Sequence, residues 1–248
     1  STIIIKPDNT VWGTGRNGNG QLGDGTTTNR ATWVSCGISA IAVSGNYHTM
    51  VIKADGTVWG TGLNTNGQLG DGTTTARTTF VSSGVSAIAV SAGYDHTAII
   101  KPDNTVWSVG SNAYGQLGDG TTTNRSAWVS SGISAIAVNC GHLHTMVIKA
   151  DNTLWSTGHN GWGQLGDGTT TNRSAFVNTG ISVLAVSCAY YQTLIIKSDD
   201  TVWGVGYNSN GQLGDGTYSN SYSTWLNSGI SGTYLLEGVR NTDPSSFT

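Results

Sequence analysis

The sequence predicts an all-β protein, a five-bladed β-propeller built from repeats of about 48 residues. Two observations support this prediction. A Val-Trp or Leu-Trp pair recurs once per repeat, and the string Gln-Leu-Gly-Asp-Gly starts at five evenly spaced positions, Gln21, Gln68, Gln116, Gln164 and Gln212. A fixed period of this length is typical of propellers and solenoids, in which each repeat is one packing unit.

Each repeat contains four short segments with strand character, separated by turn residues. In the third repeat they cover residues 87–90, 96–101, 105–109 and, more briefly, 127–129. Alternating β-branched and aromatic residues bounded by Gly, Asn and Asp are typical of strands. Four short antiparallel strands make one propeller blade, and we find no helical period in any repeat.

The two ends of the chain predict that the ring closes within one blade. Residues 2–6 match the second strand of the later repeats, so the first repeat lacks its first strand. Residues 229–238 match 180–189, which include that strand, and we expect 232–238 to complete the first blade. Closure of this kind leaves no open sheet edge. We therefore predict a single propeller over residues 1–238 and a polar tail over 239–248.

Composition bears on the location and partners of the chain. Charged residues make up 10% of it and the formal net charge is −3, which gives no electrostatic attraction to nucleic acid or anionic lipid. No apolar run approaches the roughly 18 residues of a membrane span, and the first residues lack the features of a signal peptide. Localisation is left unknown, with an extracellular or virion-surface site favoured. The expected partners are a glycan or protein surface, within a larger assembly or outside one, with no nucleic acid and no membrane insertion.

The repeat pattern Gly-x-x-His-Thr followed by Gly-x-Asn-x-x-Gly-Gln-Leu-Gly stands at residues 93–97 and 110–118 of the third unit. It resembles the repeat of the regulator of chromosome condensation family over nearly the whole chain, which implies a propeller fold. The family's founding member has seven blades and exchanges nucleotide on a small GTPase, while a bacterial relative inhibits β-lactamases. One fold therefore serves several functions. Nucleotide exchange ranks third here, because the chain has five repeats and no inserted wedge like that of the exchange factor.

Most charged and histidine residues recur in the same position of each repeat, which indicates structural roles. Of the 25 charged residues, 19 lie in such repeated positions. His48, His96 and His144 also recur, with Gln192 in the fourth copy, and we predict that they are buried and hydrogen-bonded. No pair of carboxylates and no nucleophile with a base forms a plausible catalytic site. We expect no enzyme activity, no catalytic residue and no cofactor.

A metal site is a weaker alternative. Cysteine and histidine are zinc ligands, and four such residues cluster in the sequence, Cys140, His142, His144 and His159. Their spacing fits no closed zinc site, so we predict no metal. The three cysteines, Cys36, Cys140 and Cys188, cannot all pair within one chain, and their redox state is left open.

The most informative prediction concerns one face of the propeller. If the strands of a blade alternate in direction, the first-to-second and third-to-fourth connections lie at the same end, and the repeats differ most there. Aromatic and histidine residues gather at these positions and are the predicted ligand-binding residues, Tyr94, Tyr114, His142, His159, Trp162, Tyr190, Tyr191 and Tyr207. We predict a non-enzymatic, lectin-like recognition module that binds a glycan or protein through this variable aromatic face. The alternative is a structural or decoration component of a virus particle or cell-surface assembly.

Overall fold

The computed structural model describes residues 1–233, which form nineteen β-strands and no helix. The strands make five antiparallel sheets in chain order, named blades 1 to 5 below. Blade 1 contains β1 (Thr2–Ile5), β2 (Thr10–Gly15) and β3 (Arg30–Ser39). Blade 2 contains β4 (Ala42–Gly45), β5 (His48–Ile52), β6 (Thr57–Gly62) and β7 (Arg77–Ser86); blade 3 contains β8 (Ala89–Ala92), β9 (His96–Ile100), β10 (Thr105–Gly110) and β11 (Arg125–Ser134). Blade 4 contains β12 (Ala137–Cys140), β13 (His144–Ile148), β14 (Thr153–Gly158) and β15 (Arg173–Ser182); blade 5 contains β16 (Ala185–Cys188), β17 (Gln192–Ile196), β18 (Thr201–Tyr207) and β19 (Ser221–Ser231).

The five blades surround one central cavity. In blades 2 to 5 the first strand is innermost, and β4, β8, β12 and β16 contact one another in that order. Residues from all five blades line the cavity, with Ile3 as the contribution of β1. Blade 1 has three strands within the described residues. The predicted closing strand at 232–238 and the tail at 239–248 fall outside those residues beyond Thr233, so ring closure stays a prediction.

The fourth strand of each blade is longer than the sequence predicted. We expected residues 127–129, whereas β11 runs from Arg125 to Ser134. The Ser-Gly-Ile-Ser segment reads as a turn, but the strand continues through it as a bulge, because Gly132 adopts a φ of 67° that glycine tolerates at little cost. The first strand also begins later than predicted, at Ala89 rather than residue 87.

The apolar core lies between neighbouring blades. The cluster between blades 3 and 4 combines Ile100 of β9 with Val138 and Val147 of the next blade, and all three are buried. Removing these faces from water is the main force that holds the blades together. We predicted structural roles for the repeated charges, and in four repeats the aspartate pairs with the arginine six residues later, as Asp119 does with Arg125 at 2.9 Å.

The repeated histidines join successive blades. His96 Nε2 of blade 3 lies 2.9 Å from Thr145 Oγ1 of blade 4, and Thr145 donates to the carbonyl oxygen of Gln116 at 2.8 Å. The hydroxyl has one hydrogen, so His96 Nε2 must be the donor to Thr145. His48 and His144 make the same contact with the following blade. Burial lowers the pKa of each of the three to about 3, so they are neutral. The predicted buried, hydrogen-bonded role is confirmed.

Candidate functional site

All eight predicted ligand-binding residues lie in one connected set of side chains at one end of the propeller. They come from the first-to-second and third-to-fourth connections of blades 3 to 5, and Tyr47 of blade 2 joins them. The aromatic face, as the set is named here, consists of Tyr47, Tyr94, Tyr114, His142, His159, Trp162, Tyr190, Tyr191 and Tyr207.

Four of these rings form a row at the mouth of the central cavity. Ring centroids lie 4.5 Å apart for Tyr47 and Tyr94, 4.1 Å for Tyr94 and His142, and 4.1 Å for His142 and Tyr190. The four residues occupy nearly the same place in the first connection of successive blades, so the repetition of the blades brings them together. The cavity behind them has a volume of about 860 Å³.

A second group of rings lies farther from the cavity. Tyr114 and His159 have centroids 4.8 Å apart, and Trp162 and Tyr207 have centroids 5.0 Å apart. Tyr191 links this group to the row, since its ring lies 5.7 Å from that of His159 and 4.4 Å from that of Tyr190. The face is therefore continuous across four blades.

Backbone hydrogen bonds hold the two loops of each blade together beneath the rings. In blade 4 the amide of His159 donates to the carbonyl of Leu143 at 2.9 Å, and in blade 5 Tyr207 donates to Tyr191 at 2.9 Å. The rings thus project from loops fixed to the sheets, a rigid arrangement that lowers the entropy cost of binding.

Sequence reasoning missed three residues of this region. Tyr47 extends the row, and Arg16 lies over it, with Cζ 4.8 Å from the ring centroid and Nη1 3.3 Å from the hydroxyl. Asp95 adjoins Tyr94, is half-buried, and accepts a hydrogen bond from Gln68 Nε2 at 3.3 Å. Burial raises the pKa of Asp95. All three lie at positions that vary between repeats, and this variation in the sequence could have identified them.

The two histidines of the face differ in their hydrogen bonds. Gln164 Oε1 accepts from the amide of Trp162 at 3.0 Å, which turns Gln164 Nε2 towards His159 Nδ1 at 2.7 Å. Because Gln164 Nε2 can only donate, His159 Nδ1 must be the unprotonated acceptor. Both nitrogens of His142 are buried and have no hydrogen-bond partner. Burial lowers the pKa of both residues.

Within residues 1–233 no three His, Cys, Asp or Glu side chains are grouped so that they could hold a metal ion. Cys140, His142, His144 and His159 are therefore not gathered into a site. The cysteines are free, buried thiols, Cys36, Cys140 and Cys188. A helix of the length and hydropathy that a membrane crossing needs is missing from the described part of the chain.

The strands and loops define a β-propeller with a variable set of loops at one end. Two family models of the regulator of chromosome condensation (RCC1) repeat match part of the chain, one at residues 38–68 and 87–116 and the other at 55–100 and 103–148. The resemblance drawn from the sequence is confirmed over residues 38–148.

Solved structures support the propeller fold. Human WBSCR16 is 21% identical, with a TM-score of 0.76 over 88% of this chain and 60% of that one. Prp20p from Saccharomyces cerevisiae is 15% identical, with a TM-score of 0.77 over 91% of this chain and 60% of that one. At these identities the likeness shows the fold alone, and the chain spans about 60% of either structure's length. No curated protein sequence matches the chain.

The comparison corrects the expected partners. We expected a glycan or protein surface and excluded nucleic acid on the basis of net charge. The exclusion of nucleic acid is wrong, because the structure of Prp20p, which has the same fold, is described together with its binding properties to Gsp1p and histones. Net charge is a sum over the whole chain and does not describe the charge of one surface, so it does not by itself exclude such partners. Neither likeness supports a glycan ligand, a lectin-like role, or a place in a virus particle or extracellular assembly. That the chain is not an enzyme stays a prediction.

Proposed function

We propose that the chain is a protein-binding module and that the aromatic face is the surface that contacts the partner. The observation that carries this proposal is the continuous set of nine rings, drawn from four blades and placed at the end where the repeats differ. Tyrosine and tryptophan are enriched at protein interfaces because each supplies a large apolar surface with a polar tip. Tyr114 and Tyr190 expose 38% and 57% of their surface, so the face is accessible to a partner.

The opposite end of the propeller supports the same choice. Its turns have the same hydrogen bonds in every blade. The backbone amide and the hydroxyl of Thr105 both donate to Asp103 Oδ1, and each of the other blades has an equivalent threonine and aspartate. Lys101 Nζ lies 3.4 Å from the centroid of the Trp107 ring, again as in the other blades. Side chains engaged in turns and in stacking are less free to discriminate among partners.

The test compares two variants of the face with a matched control. Tyr191→Ala removes the ring that links the two groups of the face, and Trp162→Ala removes a ring of the second group. Tyr218→Ala removes a tyrosine that is 77% exposed and makes no ring contact within residues 1–233. Gsp1p and histones are the first partners to measure, by biolayer interferometry with the purified proteins, because Prp20p has the same fold. We expect at least a tenfold loss of affinity in the two face variants and none in the control.

If neither protein binds, capture from a cell extract with the same four baits identifies other partners by mass spectrometry. A partner retained by the wild type and by Tyr218→Ala, and lost from both face variants, supports the proposal. Retention of every captured protein by the face variants contradicts it. Circular dichroism of each variant establishes that the fold is intact.

A further inference from the structure

His142 is the one histidine of the described residues whose side chain lacks any hydrogen-bond partner. Both of its nitrogens are buried and unpaired, whereas the other four each have a partner, His48, His96 and His144 through Nε2 and His159 through Nδ1. Burial of an unpaired polar group is unfavourable. Tyr190 stacks on His142 and is 57% exposed, so the unpaired nitrogens lie next to a ring at the protein surface.

The rings around His142 present electron-rich surfaces. Tyr94 and Tyr190 flank it, each with its centroid 4.1 Å away. Aromatic faces attract cations, tightly so where water is partly excluded. This chain already uses the interaction, since Arg16 lies over Tyr47 at the end of the same row.

A carboxylate without a cationic partner lies beside these rings. Each ion pair among residues 1–233 joins an aspartate and an arginine within one loop, and Asp95 belongs to none of them. Asp95 follows Tyr94 in the chain, and its Oδ1 accepts a hydrogen bond from Gln68 Nε2 at 3.3 Å. A half-buried negative charge without a counter-charge favours a positively charged ligand.

We infer that the mouth of the central cavity, at Tyr94, His142 and Tyr190, binds a lysine or arginine side chain of the protein partner. The ammonium or guanidinium donates to a nitrogen of neutral His142, the tyrosine rings pack against its alkyl stem and charge, and Asp95 supplies the counter-charge. The cavity of about 860 Å³ behind the rings has room for the inserted side chain. This inference rests on the proposed function, because it names the chemistry of the partner at that face.

The test uses small probes, so it needs no identified partner. The intact chain is titrated with N-acetyl-lysine methylamide, N-acetyl-arginine methylamide and the neutral N-acetyl-norleucine methylamide, and the aromatic resonances are followed by NMR. Saturable shifts at Tyr94, His142 and Tyr190 with a charged amide, and affinity at least threefold weaker with norleucine, are expected. Choline is titrated as a fourth probe. Tighter binding of choline than of either charged amide would assign the site to a free quaternary ammonium and would overturn the inference.

Two pairs of variants separate the contributions. Tyr94→Phe keeps the ring and is expected to bind the charged amide within about twofold of wild type, whereas Tyr94→Leu is expected to lose about threefold or more. Asp95→Asn removes a negative charge and is expected to weaken binding of the charged amide and to reduce the salt dependence of that binding. Asn46→Asp, which adds a negative charge on the same face, is the control.

Equal affinity for norleucine and lysine amides, shifts confined to Trp162 and Tyr207, or no saturable shift would each refute the inference. The proposed function is judged separately, by the partner affinities of Trp162→Ala and Tyr191→Ala. If those variants lose partner binding and the amides cause no saturable shifts, the proposed protein interface is supported and the cation site is refuted.

Discussion

The α-carbon of Gly141 lies against the imidazole of His144, so that a methyl group at residue 141 would come within 2.5 Å of His144 Nδ1. Gly93 has the same relationship to His96. In blade 5 the corresponding residues are Ala189 and Gln192. In blades 3 and 4 the histidine ring occupies the space that a β-carbon would need, and alanine stands at this position in blade 5, where the ring is replaced.

We predict that Gly141→Ala destabilises the protein and that His144→Gln in the same chain restores part of the loss. Overpacking of a buried site costs about 1–3 kcal/mol, and the coupling between the two positions should be about 1 kcal/mol or more. Urea denaturation of both single variants and the double variant measures it. Ala189→Gly is the control, expected to change stability by about 1 kcal/mol or less. Strict additivity of the two substitutions would show that the packing account is mistaken.

We expect the fold to lose stability on acidification at pH values well above those at which carboxylates titrate. The pKa values of His48, His96 and His144 are about 3 in the folded protein, against an ordinary value of 6.5. As the pH falls below 6.5 the unfolded chain takes up protons first, so the free energy of unfolding decreases, by up to about 1.4 kcal/mol per pH unit for each histidine. Urea denaturation at pH 7.5 and 5.5 measures the slope. His142 and His159 also have lowered pKa values, so His96→Gln should reduce the slope by at most about a third. An unchanged slope would argue against the buried neutral histidines as its source.

His159 provides a local pH response on the aromatic face. Its Nδ1 accepts from Gln164 Nε2, and protonation would set two donors against each other. The neighbouring titratable groups are His142, Tyr114 and Tyr191. We expect NMR titration to give His159 a pKa below 6.5, and Gln164→Glu, which supplies a carboxylate, to raise it by about one unit or more. A value at or above 6.5 in the wild type would contradict the hydrogen-bond assignment.

The third-to-fourth loop of blade 3 depends on one buried amide. Asn112 Nδ2 donates to Asp119 Oδ1 at 3.0 Å and to two threonine carbonyls, while its Oδ1 accepts from the Leu117 amide at 3.0 Å. Asn112→Asp would set two carboxylates together in a buried site, and we predict a loss of about 3 kcal/mol or more. Asn124→Asp keeps the side-chain oxygen that accepts a hydrogen bond from the backbone amide of Asn112. Residue 124 is exposed, so this substitution should cost about 0.5 kcal/mol or less. Thermal and urea unfolding distinguish the two, and equal losses would place the role of Asn112 elsewhere.

The repeat period was sufficient to predict the blades, because each unit must bury its faces against the next. It also predicted the face, since positions that differ among copies are ones that the scaffold does not determine. The fourth strand was underestimated, because Gly132 marks a bulge within β11 where the sequence suggests a turn.

The contacts within the face were beyond sequence reasoning. Tyr47 was passed over, although its column holds Asp95, Leu143 and Tyr191 in the other blades and varies as much as any. Its contact with Tyr94 depends on the angle between two blades and on side-chain rotamers, neither of which the repeat pattern specifies. The unpaired nitrogens of His142 likewise emerge only from the arrangement of its neighbours.

The histidine–threonine contact recurs at three successive blade boundaries, from blade 2 to blade 5, always between residues 49 positions apart. Blades 3 and 4 therefore each carry half of the joint that precedes them and half of the joint that follows. Unequal recombination in the gene, cut at the same point of two such repeats, would add, remove or exchange a blade with both joints complete. The rings of the aromatic face belong to the loops of each repeat, so such events would change that face while the scaffold stays the same.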